Sequence, residues 1–334
     1  MTPPRHPRIG VAGVGALGQH HARILAAMEG ATLSGIHDVR PERAHEVATQ
    51  LGATAMESLE ALLDASDALV VAVPTRAHEE VAVAALLRGI PVLVEKPLAP
   101  TLHAADRILA AAGEGGAFVQ TGHVERFNPA VLAALPFLDR PLFIESHRMA
   151  LFTPRSTDVA VVLDLMIHDV DLVMSLVGMP LVELAASGLP VLTSSVDIAN
   201  ARLTFAGGAV ANLTASRVSL ERMRKLRIFQ PSGYLSLNLA DGTGEFLRLR
   251  QDLSELHARA ADGPAAADLS EIVERVTLEG DGAEPLRREL ENFREAVRGN
   301  AAPAVTGDDG RAALAVALAI QERIADHVAD TRPA

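Results

Sequence analysis

The sequence predicts an α/β protein in two parts: a doubly wound parallel sheet over residues 1–122, then an α+β domain with an antiparallel sheet over residues 123–334. Two observations lead to this fold class. As far as Gly122, short apolar runs alternate with helical patterns, which is typical of parallel strands connected by helices. Beyond Gly122, strand-like runs follow one another directly and are separated by Gly or Pro turns, as in an antiparallel sheet. A chain of 334 residues has room for two such domains.

The strands predicted in the first part are short and apolar. In chain order they are Arg8–Ala12, Thr32–His37, Ala68–Val73, Pro91–Val94 and Ala117–Gln120. The run Ala68–Val73 is apolar throughout, as expected for a strand buried on both faces. Helices are predicted between the strands, from residue 18 to about Met28 and over Pro41–Leu51, His78–Arg88 and Leu102–Ala112.

The second part begins with helical patterns and continues with strands. The helices are predicted at Pro129–Leu135 and Val159–Val177, on either side of an extended segment, Pro141–Met149. The strands include Ala199–Phe205, Ala209–Ser216 and Lys225–Phe229, and Gly207-Gly208 predicts a hairpin turn between the first two. The segment 252–268 has no clear period and is expected to be a loop or an irregular helix. Two helices, Pro285–Arg298 and Asp309–His327, close the chain and are candidates to pack back on the first part.

Composition narrows the range of functions. There is no cysteine, which excludes disulfides, thiolate zinc sites and cysteine nucleophiles. The formal net charge of −12 argues against a general nucleic-acid binder, and aromatic residues, at 3%, are too few for base-stacking platforms. The N-terminal residues lack an apolar signal core, and the apolar stretch 312–320 is too short to span a bilayer. We therefore expect a cytoplasmic protein with a small-molecule substrate and with no nucleic-acid or membrane partner.

A glycine loop near the N-terminus is the firmest functional signal. The run Gly13-Val14-Gly15-Ala16-Leu17-Gly18 follows a predicted strand and opens a predicted helix, and Asp38 ends the next strand about twenty positions later. In such a turn the glycines permit a tight bend, a close approach of pyrophosphate and close helix–strand packing, and the helix N-terminus offers N–H groups to the anion. Asp38 is expected to bind the adenosine ribose and to repel a 2′-phosphate. This favours NAD. Arg40, two residues later, leaves NADP as the alternative cofactor. The other interpretation of the loop is a glycine turn that binds no ligand.

A lysine follows the fourth predicted strand, at the edge of the sheet where ligands bind. Glu95-Lys96-Pro97 comes directly after Val92-Leu93-Val94, hence at the carboxyl end of that strand. An ordinary surface cation is the alternative interpretation of Lys96.

The helix Val159–Val177 is strongly apolar, yet it carries Asp164 and His168 on one side, with Asp171 close by. Ionisable groups on such a helix are costly unless they are paired or lie in a cleft. Asp164 and His168 therefore either satisfy each other in the core or work at a site. Zinc is disfavoured because two ligands are too few, so we expect no metal. In the functional interpretation His168 takes the proton in an alcohol oxidation, since histidine titrates near neutral pH, and Asp164 orients it.

Together these motifs resemble the Gfo/Idh/MocA (glucose-fructose oxidoreductase / inositol dehydrogenase) family, a resemblance that the segment 303–310, PAVTGDDG, extends to the C-terminus. It implies an N-terminal Rossmann domain and an open-faced, mainly antiparallel C-terminal sheet often used in oligomers, hence a homodimer or homotetramer. It also implies a catalytic trio of Lys96, Asp164 and His168, in which the lysine contacts the reacting hydroxyl and the nicotinamide ribose. One departure is Met166, where the family commonly has glycine.

A finer resemblance lies in Gly122–Pro129, GHVERFNP, which is similar to the stretch in nucleotide-sugar members of that family that oxidise UDP-N-acetylglucosamine at C3. The runs Ser146–Met149 and Phe152–Asp158 fit the same picture. Arg148 and Arg155 are candidates to pair with a pyrophosphate, because a guanidinium engages phosphate in bidentate fashion; for Arg155 a solvated surface charge is equally expected. A further basic cluster is expected to be a solvated sheet face or oligomer contact; it contains Arg217, Arg222, Arg224, Lys225 and Arg227.

The expected activity is NAD-dependent oxidation of a sugar hydroxyl, at C3 of UDP-N-acetylglucosamine. The alternatives are a dehydrogenase or reductase of a free sugar, polyol or other cyclic substrate, and a non-catalytic dinucleotide-binding regulator. The expected cofactor-binding residues are Gly13, Gly15, Ala16, Leu17, Gly18, Asp38, Val73, Pro74, Thr75, His78, Glu95 and Lys96. The expected substrate-binding residues are Lys96, Glu125, Arg126, Asn128, Arg148, Arg155, Asp164 and His168.

Overall fold

The protein, as described by a computed structural model over residues 6–153, 160–249 and 273–331, forms two compact units. The first unit contains the residues up to Val124 together with Glu284–Val316. The second contains Glu125–Ala283 and the residues from Ala317 onward.

The first unit is built on a five-stranded parallel sheet, which confirms the predicted fold class. Its strands are β1 (Arg8–Ala12), β2 (Thr32–His37), β3 (Ala68–Val71), β4 (Val92–Glu95) and β5 (Val119–Gly122), in the order β2-β1-β3-β4-β5. Every residue of β3 and β4 is buried, as expected of parallel strands covered on both faces. Strand β3 ends before Pro74, which has no N–H to give to a ladder.

Helices cover this sheet. They are α1 (Gly18–Ala26), α2 (Pro41–Leu51), α3 (Leu59–Asp64), α4 (His78–Leu86), α5 (Leu102–Gly115) and, from the C-terminal part of the chain, α8 (Pro285–Val297). The six-residue α3 was not predicted because it is too short to show a helical period; the Ser58 side chain caps it by accepting from the Ala61 N–H at 3.1 Å. Phe293 of α8 joins the core beneath β1 and packs edge-on to Phe118.

The second unit is built on an eight-stranded, mainly antiparallel sheet, as the resemblance implied. Its order is β13-β12-β11-β10-β6-β9-β8-β7, and β6 and β9 form its parallel pair. The strands are β6 (Phe143–Met149), β7 (Leu181–Leu189), β8 (Ile198–Phe205), β9 (Val210–Ser216), β10 (Met223–Gln230), β11 (Gly233–Asn238), β12 (Thr243–Leu249) and β13 (Val273–Glu279). The predicted hairpin turn joins β8 to β9, with positive φ angles of 85° and 90° at Gly207 and Gly208.

Burial alternates along the central strands, so one sheet face is covered and the other is open. In β6, Ile144, Ser146 and Arg148 are buried, whereas the residues between them are only partly covered. The helices of this unit are α6 (Pro129–Ala134) and α7 (Ile167–Val177), and α9 (Gly307–Thr331) extends from the first unit into it.

The helix predicted at Val159–Val177 differs in its first turn. Val162–Met166 is π-helical, and the α-helical part starts at Ile167. A single wide turn of this kind is frequent at functional sites. The predicted residues Val159 and Arg155 and the segment 252–268 lie outside the described residues.

No helix within the described ranges is both long enough and apolar enough to cross a membrane.

Candidate active site

Each glycine of the N-terminal loop has the geometry that a dinucleotide turn requires. Gly13 has a φ of +85°, and a Cβ on it would meet the Ala72 carbonyl oxygen at 2.7 Å. A Cβ on Gly18 would lie only 1.8 Å from the Gly13 carbonyl oxygen, so helix and loop pack without room for a side chain. By contrast, a Cβ on Gly15 would meet nothing within 4 Å. The loop is therefore tight where it folds and open where a pyrophosphate would approach.

The helix that follows is suited to an anion. No side chain caps its N-terminus, and its first turn holds no acidic residue. Ala16 and Leu17 are exposed at this point. The N–H groups and the positive end of the helix dipole are thus directed at the space beside Gly15.

Asp38 holds the loop from the end of β2. Its carboxylate accepts the Val14 N–H at 3.0 Å and the Arg40 N–H at 3.0 Å. Burial raises the pKa of this carboxyl, but the hydrogen bonds from Arg40 and Val14 outweigh burial and leave the pKa below its ordinary value. Asp38 is therefore a negative charge at neutral pH, next to the turn that would carry the adenosine end of a dinucleotide.

Glu95 lies under the sheet edge and supports it. Its Oε1 lies 2.6 Å from Nε2 of His21, and both side chains are buried. Its Oε2 accepts the Lys96 N–H at 3.2 Å. Both carboxylate oxygens thus have partners inside the protein, and the expected contact of Glu95 with a cofactor stays a prediction. Lys96 itself is half-buried and joins Pro97 through a cis peptide bond.

His78 supports the loops around the glycine turn from inside the first unit. It is buried, with Nδ1 3.0 Å from the Pro97 carbonyl oxygen and Nε2 2.9 Å from the Val73 carbonyl oxygen. Burial lowers the pKa of His78 from its ordinary value. Its ring connects the loop after β3 to the loop after β4, and its expected contact with a cofactor stays a prediction. Val73 and Thr75 are half-buried and Pro74 is exposed in the loop that this ring supports.

In the second unit, Asp164 and His168 lie where the π-helical turn passes into α7. Both are half-buried, and Asp164 lines a cavity of about 420 Å³. Met166, which lies between them in the sequence, is fully buried and so belongs to the core. The departure from the family's usual glycine is accommodated in the interior of the unit.

Arg148 is held by two carboxylates, which the sequence did not predict. Its Nε and Nη2 donate to Asp169 at 2.8 and 2.9 Å, and its Nη1 donates to Glu125 at 2.8 Å. All three side chains are buried. The neighbouring carboxylates raise the pKa of Arg148 above its ordinary value even though burial lowers it. Arg148 therefore anchors the helix beside His168, and its predicted contact with a pyrophosphate stays a prediction.

A second ion pair anchors the same helix two residues further along the chain. Arg126 donates to both oxygens of Asp171, at 2.8 and 2.7 Å. Asn128 donates to Glu125 at 2.9 Å and caps α6 by accepting the Ala130 N–H at 3.0 Å. The expected substrate-binding residues Glu125, Arg126 and Asn128 therefore form a framework around α7. Nothing in the sequence spacing pointed to Asp169 as the partner of Arg148 or to Asp171 as the partner of Arg126.

Three arginines of the predicted basic cluster line the cavity with Asp164. Arg217, Arg222 and Arg224 contribute to its wall, whereas Lys225 and Arg227 lie on β10 beyond it. Arg222 and Arg224 are exposed, as expected for a solvated face, whereas Arg217 is buried. Among the described residues, no group of three or more His, Cys, Asp or Glu side chains is arranged to hold a metal ion.

Comparison with known proteins agrees with this architecture. Residues 7–123 match the family model described as "Oxidoreductase family, NAD-binding Rossmann fold", and residues 142–236 match the "GFO/IDH/MocA C-terminal domain". The chain is 37% identical over 318 residues to UDP-N-acetylglucosamine 3-dehydrogenase of Acidithiobacillus ferrooxidans, a match that covers 95% of this chain and 96% of that protein. A solved structure of the latter enzyme superimposes with a TM-score of 0.86 at 34% identity, covering 96% of this chain and 98% of that one.

A more distant relative matches over a shorter length. Inositol 2-dehydrogenase 2 of Saccharopolyspora erythraea is 37% identical over 189 residues, which is 53% of this chain and 56% of that protein. The chain therefore belongs to the Gfo/Idh/MocA family and is an NAD(P)-dependent oxidoreductase that acts on CH–OH groups.

Proposed function

We propose that the protein oxidises a hydroxyl of a nucleotide sugar to a ketone with NAD, and that its substrate is UDP-N-acetylglucosamine, oxidised at C3. The observation that carries the proposal is the similarity, over nearly the whole of both chains, to an enzyme named for that reaction. The similarity to the inositol dehydrogenase covers only about half of the chain. In this proposal the first unit binds the dinucleotide and the second unit binds the substrate. The match to the nucleotide-sugar enzyme covers 95% of this chain and so includes most of the second unit, which supports the nucleotide sugar.

His168 is the proton acceptor in this proposal. The substrate O–H proton passes to the His168 imidazole while the hydrogen on the same carbon leaves with its electron pair, so the alcohol loses two electrons and becomes a ketone. Asp164 orients the imidazole and stabilises its charged form, and Lys96 contacts the reacting hydroxyl. When bound, the nicotinamide supplies C4 as the hydride acceptor. The glycine loop and Asp38 are the residues that fit the dinucleotide.

NAD is proposed as the preferred cofactor over NADP. Asp38 presents a carboxylate that the hydrogen bonds from Arg40 and Val14 keep charged. A 2′-phosphate on the adenosine ribose would meet this charge in a partly buried place, where repulsion is weakly screened.

The substrate is tested by incubating the purified protein with NAD and following NADH absorbance. We expect NADH with UDP-N-acetylglucosamine and a 3-keto product by mass spectrometry and NMR. Free glucose, free N-acetylglucosamine and inositol serve as the comparison, and NADH from these sugars without NADH from the nucleotide sugar would refute the substrate assignment. No NADH with any of them would favour the non-catalytic regulator.

The mechanism is tested by His168→Ala. Loss of a general base is expected to lower kcat by roughly 10²- to 10⁴-fold, while the affinity for NAD stays within about twofold of the wild type because His168 lies outside the dinucleotide-binding unit. His45→Ala, on the exposed surface of α2, is the matched control and should leave kcat unchanged. A His168→Ala enzyme with near-normal kcat would remove this residue from the mechanism.

A further inference from the structure

The cavity of the second unit carries an unusual set of charges. Among the described residues, its wall includes four arginines, Arg148, Arg217, Arg222 and Arg224, and one carboxylate residue, Asp164. The chain as a whole has a net charge of −12, so this arginine-rich wall is opposite in sign to the net charge of the protein. A volume of about 420 Å³ is within the usual range for a small-molecule site.

The sheet register explains why these arginines meet. Strands β6 and β9 run parallel and end level with each other, since Met149 pairs with Ser216. Strand β10 runs the opposite way and starts at the same level, since Met223 pairs with Met149. Arg217 directly follows β9, and Arg222 directly precedes β10, so both lie at this one end of the sheet.

The register also sets two like charges opposite each other. Arg224 of β10 pairs with Arg148 of β6 and is in phase with the buried Leu226 and Ile228, although its own side chain is 53% exposed. Like charges directly across two antiparallel strands are destabilising. Arg148 is neutralised by Asp169 and Glu125, but Arg224 lies 3.6 Å from a Glu125 oxygen that Arg148 already holds at 2.8 Å. Arg224 shares this one carboxylate, and its exposed guanidinium lines the cavity, where it is open to an anion.

Arg222 and Arg217 add to this charge in different ways. Arg222 is exposed, and the described residues give it no carboxylate in an ion pair. Arg217 is buried, with Nε 3.7 Å from the Asp197 carboxylate, and so forms a fixed part of the wall. The available positive charge of the cavity is therefore concentrated on Arg222 and Arg224.

We infer that this cavity is the subsite for the diphosphate of a nucleoside-diphosphate sugar, with Arg222 and Arg224 as its principal ligands; the inference deepens the proposed function and rests on it. A diphosphate matches two guanidinium groups in charge and in bidentate geometry. An uncharged hexose or inositol carries no negative charge to pair with these guanidinium groups. Because Asp164 lines the same cavity, a diphosphate bound here holds the attached sugar near the helix of Asp164 and His168.

The test measures binding without turnover. Isothermal titration of the NAD-loaded enzyme with UDP should give binding that weakens with added NaCl, as expected for exposed charges. Inorganic diphosphate should compete with UDP, whereas uridine and glucuronate should not. The double variant Arg222→Ala/Arg224→Ala is expected to lose roughly 100-fold or more in UDP affinity, since each charged hydrogen-bonding group contributes about tenfold or more.

Lys225→Ala is the matched control, because Lys225 is the next residue of the same strand but points to the opposite face. It should leave UDP affinity unchanged, and both variants should keep wild-type NAD affinity and thermal stability. Unchanged UDP affinity in the double variant, an equal loss in Lys225→Ala, or competition by glucuronate as strong as that by diphosphate would overturn the diphosphate assignment.

The two proposals fail differently. If UDP binds through Arg222 and Arg224 but UDP-N-acetylglucosamine yields no NADH, the reaction assigned above is wrong and the diphosphate subsite stands. If the nucleotide sugar is oxidised with the same KM in the wild type and the double variant, the reaction stands and the subsite is wrong.

Discussion

Asp38 shows how one side chain can set both the shape and the charge of a binding loop. Its position after β2 was predicted from the spacing to the glycine loop, because that spacing follows from one βαβ unit. Its two backbone partners, Val14 and Arg40, were not predicted, since motif spacing carries no information on which oxygen meets which N–H. The carboxylate therefore both fixes the loop and presents a negative charge beside it.

Asp38→Asn separates these two roles, because it keeps the size and one acceptor but removes the charge. We expect the ratio of kcat/KM for NADP to that for NAD to rise by roughly tenfold, as the repulsion of a 2′-phosphate is lost. Asp64→Asn, on an exposed side chain of the same unit, should leave the ratio unchanged. An unchanged ratio in Asp38→Asn would show that another residue selects the cofactor.

The same variant has a stability signature. The pKa of Asp38 is lowered in the folded protein, so the carboxylate stabilises the fold above the pKa of the unfolded chain. This contribution is lost as the pH falls through the folded-state pKa. Thermal unfolding should thus find wild type more stable than Asp38→Asn at pH 7, with the difference shrinking in the acidic range below pH about 4.

At the scale of elements, the helix of His168 is held by ion pairs that come from distant parts of the chain. Arg148 of β6 holds Asp169, and Arg126 of the turn before α6 holds Asp171. The two aspartates flank Val170 on the helix that begins at Ile167. Fixing both of them leaves α7 little freedom to rotate, which positions His168.

The Arg126–Asp171 pair is suited to a double-mutant cycle. Arg126→Met alone leaves the buried Asp171 carboxylate without its guanidinium, which is expected to cost about 3 kcal/mol or more in the free energy of unfolding; Asp171→Leu completes the cycle. The double variant should recover much of that loss, because both charges are then gone. If the pair positions His168, the double variant should still have a lower kcat than the wild type at unchanged NAD affinity. A double variant with wild-type kcat would limit the pair to stability.

The elements that could be predicted from the sequence are those with local signals. β1 and β2 match their predicted bounds because the glycine loop and Asp38 mark where they end. The meeting of the three cavity arginines was not predicted, because it depends on the pairing of β6 with β9 and β10, which is non-local. Alternation along β10 alone would have separated Arg224, in phase with the buried Leu226 and Ile228, from Lys225 and Arg227.

At the scale of the whole molecule, the open face of the second sheet carries a row of aromatic rings. The rings of Phe143, Phe229 and Tyr234 form a row across β6, β10 and β11, with centroids 5.9 and 4.6 Å apart, and Phe229 is 39% exposed. Arg227 and Glu145 form an ion pair at 3.6 Å on the same face. Apolar rings bordered by charges are characteristic of interfaces between protein subunits.

We therefore expect a homodimer or homotetramer that associates through this face. Sedimentation of the wild type at micromolar concentration should give a species of two or four chains, and Phe229→Asp should shift it to a smaller one, because the new carboxylate would have to be buried among rings. Leu87→Asp, which places the same charge on an exposed leucine of the first unit, is the control and should sediment as the wild type does. A wild-type monomer, or a Phe229→Asp variant of unchanged size, would contradict this assignment. A smaller species that keeps UDP affinity would also show that Arg222 and Arg224 act within a single chain.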